Sequence, residues 1–199
     1  MEKRTIYSNG LILLNQHRYI LAGDHTINGD VLLVNTTLIV YGDLTINGHL
    51  INTTDGNLIV TGYLEICNSE QISLADNISA GQLRIFSLAS FIIHVWGDIS
   101  VAGFSNINNN LKCNNFDVKG NSHSYSIDCL NCSICGDNDS NSIIAVNSIR
   151  ILGSNDSETL SGIDIFISNE CDLNDSPLNA KTAHIGGPIS NCSSLNVGN

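Results

Sequence analysis

Apolar and polar residues alternate in short bursts along this chain, and most bursts end at glycine or asparagine. Leu44/Ile46/Gly48, Ile99/Val101/Gly103, Phe116/Val118/Gly120 and Ile149/Ile151/Gly153 all follow the order apolar-x-apolar-x-Gly. Alternation with period two predicts a strand with one buried face, and the Gly or Asn after it supplies a corner. A helical reading fails because no unit keeps the i, i+3, i+4, i+7 spacing. The bursts are also crowded with β-branched Ile, Val and Thr, which favour strands.

The bursts recur as whole phrases. "YILAGDHTING" starts at Tyr19, "LIVYGDLTING" at Leu38, "LIVTGYLEICN" at Leu58, "NISAGQLRIFS" at Asn77 and "IHVWGDISVAG" at Ile93. "NLKCNNFDVKG" follows at Asn110, "SIDCLNCSICG" at Ser126 and "IIAVNSIRILG" at Ile143, with weaker copies over 160–167 and 182–187. A unit repeated this often at intervals of 16–20 residues marks a solenoid. One such coil holds about three short strands of about five residues and three corners. The expected fold is therefore all-β: a single-domain, right-handed parallel β-solenoid (β-helix) of about ten coils stacked about 4.8 Å apart. Residues 1–18 are expected to cap its N-terminal end, and 19–199 to form the solenoid. On this alignment Leu44, Ile99, Cys132 and Ile149 share one core ladder, and Asp24, Asp43 and Asp98 share one corner.

The run "GDLTINGHLI" (Gly42 to Ile51), with "GNLIVTGYLEI" (Gly56 to Ile66), resembles the β-helix core of bactofilins, polymer-forming bacterial cytoskeletal proteins. The resemblance covers roughly Gly23 to Gly103, and the Cys- and Asn-rich half after Asn106 departs from it. It implies a stacked-coil architecture and, by extension, self-association through the solenoid ends.

Composition narrows the function classes. Only 14% of residues are charged, while 27 are Asn, so amides and hydroxyls supply much of the polar surface. Asn caps turns and tolerates left-handed backbone, so frequent turns are expected. The net charge of −11 disfavours nucleic acid and anionic membrane as partners, because phosphate contacts need Lys and Arg. It suits a cationic partner. The apolar run Leu11 to Leu14 is too short for a signal-peptide core, and no run has the length of a membrane span. Seven Cys without an even framework read as reduced thiols, and the cytoplasm is the expected compartment.

Candidate chemistry is sparse. "CLNCSIC" (Cys129, Cys132, Cys135) has the spacing of part of a metal ligand set. Cys132 nevertheless sits on a core ladder position, so buried thiols are expected and no metal. Asp24 and Asp43, one coil apart, have the separation of paired glycosidase carboxylates, but an Asp after Gly is more simply a turn residue. The six His are scattered, and no nucleophile elbow, P-loop or dinucleotide fingerprint occurs, so neither a catalytic set nor a cofactor is expected. Tyr41 and Trp96 form a candidate exposed aromatic pair.

Charge placement carries more. From Asp128 onward nine acids face only Arg150 and Lys181, a balance of −7. They cluster in "GDNDSNS" (136–142), "GSNDSET" (153–159) and "NECDLNDS" (169–176), one coil apart. Asp137, Asp139, Asp156, Glu158, Asp172 and Asp175 are therefore expected to stack along one corner as a docking stripe for a basic protein. Such a stripe also serves to protect a sheet from aggregation. The leading expectation is a non-enzymatic acidic protein that neutralises a cationic partner, as the immunity protein of a bacterial toxin (a nuclease, for example) does. A bactofilin-like scaffold is second, and a carbohydrate-active β-helix enzyme third.

Overall fold

The computed structural model describes residues 4–15, 17–54, 57–67, 72–74, 78–86, 92–95 and 97–198. Among them are nineteen β-strands and no helix, hence no helix long and apolar enough to cross a membrane. Strands pair in parallel with the equivalent strand one coil further on, giving a parallel β-solenoid of about nine turns. Paired residues lie 19 or 20 positions apart in the early coils (Tyr19 with Leu38, Leu38 with Leu58) and 16 or 17 apart later (Phe116 with Cys132, Cys132 with Ile149).

Each coil contributes three faces. Face A stacks Tyr19, Leu38, Leu58, Ile78, Ile99, Phe116, Cys132, Ile149, Ile165 and Ala183. Face B stacks His25, Leu44, Leu64, Leu83, Ser105, Ser122, Asn138, Asn155, Cys171 and Ile189. Face C includes Val31 on Leu50, then Ile93, Leu111, Ile127, Ile143, Leu160, Leu178 and Leu195. Their inward side chains form one continuous core, with Leu38, Leu44, Leu50, Leu64, Ile99, Phe116 and Ile151 fully buried. The segment expected as a cap includes the strand Arg4–Asn15, which runs in parallel register with His25–Val34, Arg4 opposite His25 and Ile12 opposite Val31.

The repeat alignment needs one correction. Ile99, Cys132 and Ile149 do share a ladder, but Leu44 stacks on face B and Ile99 on face A. "LIVYGDLTING" spans faces A and B, whereas "IHVWGDISVAG" spans C and A. Asp98 accordingly lies at the C/A corner, where its carboxylate accepts hydrogen bonds from the backbone N–H and side-chain amide of Asn115, and not with Asp24 and Asp43 at the A/B corner. The physical cause is that all three faces use the same strand-corner-strand grammar, so a slip of one-third of a coil leaves the pattern intact. The slip falls where the coil is longest: Ile78 pairs with Ile99, 21 positions on, and Leu83 with Ser105, 22 on.

A glycine column marks the A/B corner. Gly62 donates its N–H to Gly42, Gly120 to Gly103, Gly136 to Gly120 and Gly153 to Gly136, at 3.0–3.1 Å. The coils approach so closely there that a Cβ on Gly81 would lie 2.5 Å from the Thr61 carbonyl oxygen. The next residue bridges coils through its side chain. The N–H groups of Asp43 and Tyr63 donate to the carboxylates of Asp24 and Asp43, at 3.0 and 2.8 Å.

The Asn content has a second use besides turns. Asn35, Asn174 and Asn191 are left-handed, as turn residues should be. Others stack in register as amide ladders: Asn47 donates to Asn28, Asn131 to Asn115, Asn138 to Asn155 and Asn196 to Asn179, at 2.7–2.9 Å.

Candidate functional site

Face B changes character after Ile85. Its inward ladder holds Leu44/Ile46, Leu64/Ile66 and Leu83/Ile85 in the early coils, then Ser122/Ser124, Asn138/Ser140 and Asn155/Ser157, all buried. These polar side chains satisfy one another. The Ser140 hydroxyl donates to Asn138 at 2.7 Å, the Asn138 amide to Asn155 at 2.9 Å and the Asn155 amide to Ser157 at 2.8 Å. Such pairing offsets the desolvation that an unpaired buried amide would suffer.

The outward side of the same strands carries the acids. His123, Asp139, Asp156, Asp172 and Ser190 lie in direct register, one per coil. Three carboxylates thus follow one another at about the 4.8 Å strand spacing. Adjacent carboxylates at this spacing repel one another, weakly because water screens them. Donors from neighbouring coils relieve this. The His123 imidazole lies 2.9 Å from Asp139, the Asn174 amide donates to Asp156 at 2.8 Å, and the Asn191 amide reaches both Asp172 oxygens at 2.9 and 3.1 Å. The backbone N–H of Asn174, with Asn191 second, holds the Asp172 carboxyl below the usual carboxylate range.

The six residues expected in one corner stripe therefore divide. Asp139, Asp156 and Asp172 form the column, on a strand face and not at a corner. Glu158 and the left-handed Asp175 are exposed and border it on the side toward face C. Asp137 sits at the A/B corner, where its carboxylate accepts the Ser154 N–H at 2.8 Å and its own N–H donates to Asn121 at 3.0 Å. It joins coils as Asp24 and Asp43 do. Exposed Glu170 follows Asp137 and Ser154 in that corner column. Sequence reasoning missed His123, Asn174 and Asn191 as members of this face. The signal for His123 was its offset of 16 from Asp139.

The other candidates resolve as follows. Cys129 is buried on face C, Cys132 on face A, and Cys135 is half-buried before the glycine corner. The Cys132 thiol is pushed up by its hydrogen bond with Cys129 and by burial, and burial raises Cys171 to about 11. Among the described residues no group of three or more His, Cys, Asp or Glu is arranged to hold a metal ion. Tyr41 is exposed, and Trp96 lies outside the described residues. Comparison with known proteins finds no family model, no curated protein and no solved structure that matches the chain.

Proposed function

We propose that this chain is a non-enzymatic acidic binding protein that docks on a cationic protein and neutralises it, in the manner of an immunity protein for a basic bacterial toxin acting in the cytoplasm. The observation that supports this reading is the in-register column Asp139–Asp156–Asp172, with Glu158 and Asp175 beside it. A rigid solenoid fixes these carboxylates in a line, so their fields add along one face and steer a basic surface on encounter. The small number of nearby cations leaves that field uncancelled.

The test is a pull-down from the source organism with wild type and with an Asp139→Lys/Asp156→Lys/Glu158→Lys variant, followed by association kinetics on the recovered partner. Asp137 is left intact because it holds two coils together. Reversal of charge is expected to lower the on-rate by about tenfold or more and to flatten its salt dependence. Recovery of a basic partner with unchanged kinetics removes the acidic face from the reading. If wild type recovers only itself, in filaments visible by electron microscopy, the bactofilin-like scaffold takes its place.

A further inference from the structure

The C/A corner lies across the prism from the acidic face, and it carries the opposite chemistry. Its column runs from Gly97 to Asn114 and Leu130, whose backbone N–H groups bond to the preceding corner residue at 2.9 and 2.7 Å. Val146 and Ile163 occupy the corner in the next two coils, by their place between paired residues. Leu130, Val146 and Ile163 are 40%, 57% and 45% exposed, and Ile144 beside them is 46% exposed. Three consecutive coils thus turn aliphatic side chains to water at a corner that carries Gly97 and Asn114 in the two coils before and Lys181 in the coil after.

A pocket of about 220 Å³ opens under this ridge. Its cause lies in the inward column of face C, which narrows from Leu33 through Val95 to Cys113, Cys129 and Ala145. Cys113, Cys129 and Ala145 are smaller than the Leu33 and Val95 of earlier coils, and the pocket lies over the two cysteines. Val95, Leu130 and Val146 wall the pocket, and the buried thiols of Cys113 and Cys129 line its deeper side. On the rim the Lys112 ammonium lies 3.2 Å from the Asp128 carboxylate, so among the described lining residues that cation is matched by an anion.

We propose that this pocket binds a small, uncharged, apolar ring compound. Apolar cavities of about 150 Å³ hold benzene, so about 220 Å³ takes a fused or short-substituted ring. A charged ligand would have to break the Lys112–Asp128 pair or leave its charge against neutral walls. Burial pushes the Cys113 thiol far up, so it stays protonated and behaves as a small hydrophobe. A bound ring would cover Leu130 and Val146, which face water at the lip. A second copy is the poorer occupant, because four half-exposed aliphatic side chains offer roughly a few hundred Å², short of the about 800 Å² per partner of a stable interface. This assignment does not rest on the acidic face and stands or falls separately from it.

The two thiols supply the readout. Alkylation of each cysteine by iodoacetamide, slow at the buried Cys113 and Cys129 and therefore followed over days, is read by peptide mass mapping, with indole as the probe and indole-3-carboxylate and tryptamine as its charged counterparts. At indole concentrations about ten times its dissociation constant, Cys113 and Cys129 are expected to react about tenfold more slowly. Cys67 and Cys192, half-buried and away from the pocket, should keep their rates. Cys129→Leu should fill the space and abolish protection of Cys113. If that variant does not fold, Val146→Trp blocks the lip from an exposed position and should do the same. The proposal is overturned if indole protects neither thiol up to its solubility, if all cysteines slow equally, or if the charged analogues protect as well as indole. It is also overturned if protection depends on protein concentration without any probe and is lost in Val146→Asp, since a second copy then covers the corner.

Discussion

The early coils around Leu44 and Leu64 and the later coils around Asn138 and Asn155 pair their face B strands in the same parallel way, yet they fill the interior with opposite chemistry. In the first set the inward side chains are Leu and Ile; in the second they are Ser and Asn, equally buried. The coil lengthens to 22 residues from Leu83 to Ser105 and then settles at 16 or 17 in the polar set, against 19 or 20 in the first. Smaller inward side chains and a tighter loop belong together, because a shorter coil encloses less volume at interior packing density. Faces A and C stay apolar, with Phe116, Cys132 and Ile149 on A and Leu111, Ile127 and Ile143 on C, so these later coils have an apolar core on two sides and a hydrogen-bonded wall on the third. Stacking, and not the chemistry of any one face, is therefore what the backbone requires: a ladder is stable when each side chain meets its like one coil away.

The largest expected effect tests that rule where it admits no exception. Ile46→Asp places a carboxylate among fully buried apolar neighbours, opposite Ile27 and Ile66, with no partner in reach. An isolated charge in such a site is costly enough that the chain should not fold, read as loss of the β-type circular dichroism signal. Leu64→Asn, on the same ladder, is expected to cost about 3 kcal/mol or more from lost burial and an unpaired amide. Asn155→Leu should cost less, about 1–3 kcal/mol, mainly by orphaning Asn138 and Ser157. The sharper measurement is the double variant Asn138→Leu/Asn155→Leu in urea denaturation. If the ladder rule holds, it is less destabilised than the sum of the singles, because like again meets like. Strict additivity breaks the comparison.

Corner glycines allow a second contrast at intermediate size. A methyl on Gly81 would meet the carbonyl oxygens of Thr61 and Gly62 at 2.5 and 2.7 Å, so Gly81→Ala should cost about 1–3 kcal/mol through forced separation of the coils. Gly162, on face C of a later coil, meets nothing closer than 3.4 Å, and Gly162→Ala should change stability by less than about 0.5 kcal/mol. Equal destabilisation of the two would mean that glycine serves conformation and not close approach at both sites.

Legibility in the sequence follows the same divide. Faces A and C were readable because an apolar residue alternates with a polar one wherever water lies on one side only. Face B of the later coils was not. "SNDSET" and "DNDSNS" are polar at every position, so period two vanishes although Asn155 and Ser157 point inward and Asp156 outward. The same uniformity made the acids look like corner loops when three of them stand on a strand. The one-third-coil slip at Ile93 went unseen because a strand, a Gly-Asp corner and a strand look alike on every pair of faces. Asn was read as a turn former from its backbone tolerance, whereas stacking an amide on its copy needs the register, which composition does not carry.

The smallest expected effect concerns pH and compares a carboxylate from each region. Asp30, in an early coil, accepts hydrogen bonds from the backbone N–H and the imidazole of His49, at 2.9 and 2.8 Å, and these hold its carboxyl below the usual range. Asp172, in a later coil, is held below that range by the Asn174 N–H and then by Asn191. A depressed folded-state value means that the unfolded chain takes up the proton first. The contribution to stability is therefore complete above the unfolded carboxyl value of about 3.9 and is lost as pH falls through the lower folded value. Thermal unfolding measured from about pH 5 down to about pH 2 should fall less steeply for Asp30→Asn and for Asp172→Asn than for wild type. Both sites are exposed to solvent, so the change in slope should be small. The regional difference lies in salt: His49 adds a coulombic component to the hold on Asp30, the smallest of its causes, and added salt should reduce it. Asp172 is held by an uncharged amide and a backbone N–H, so its share of the slope should persist at high salt. Identical salt sensitivity in the two variants would mean that the imidazole adds nothing to what the backbone N–H already supplies at the early corner.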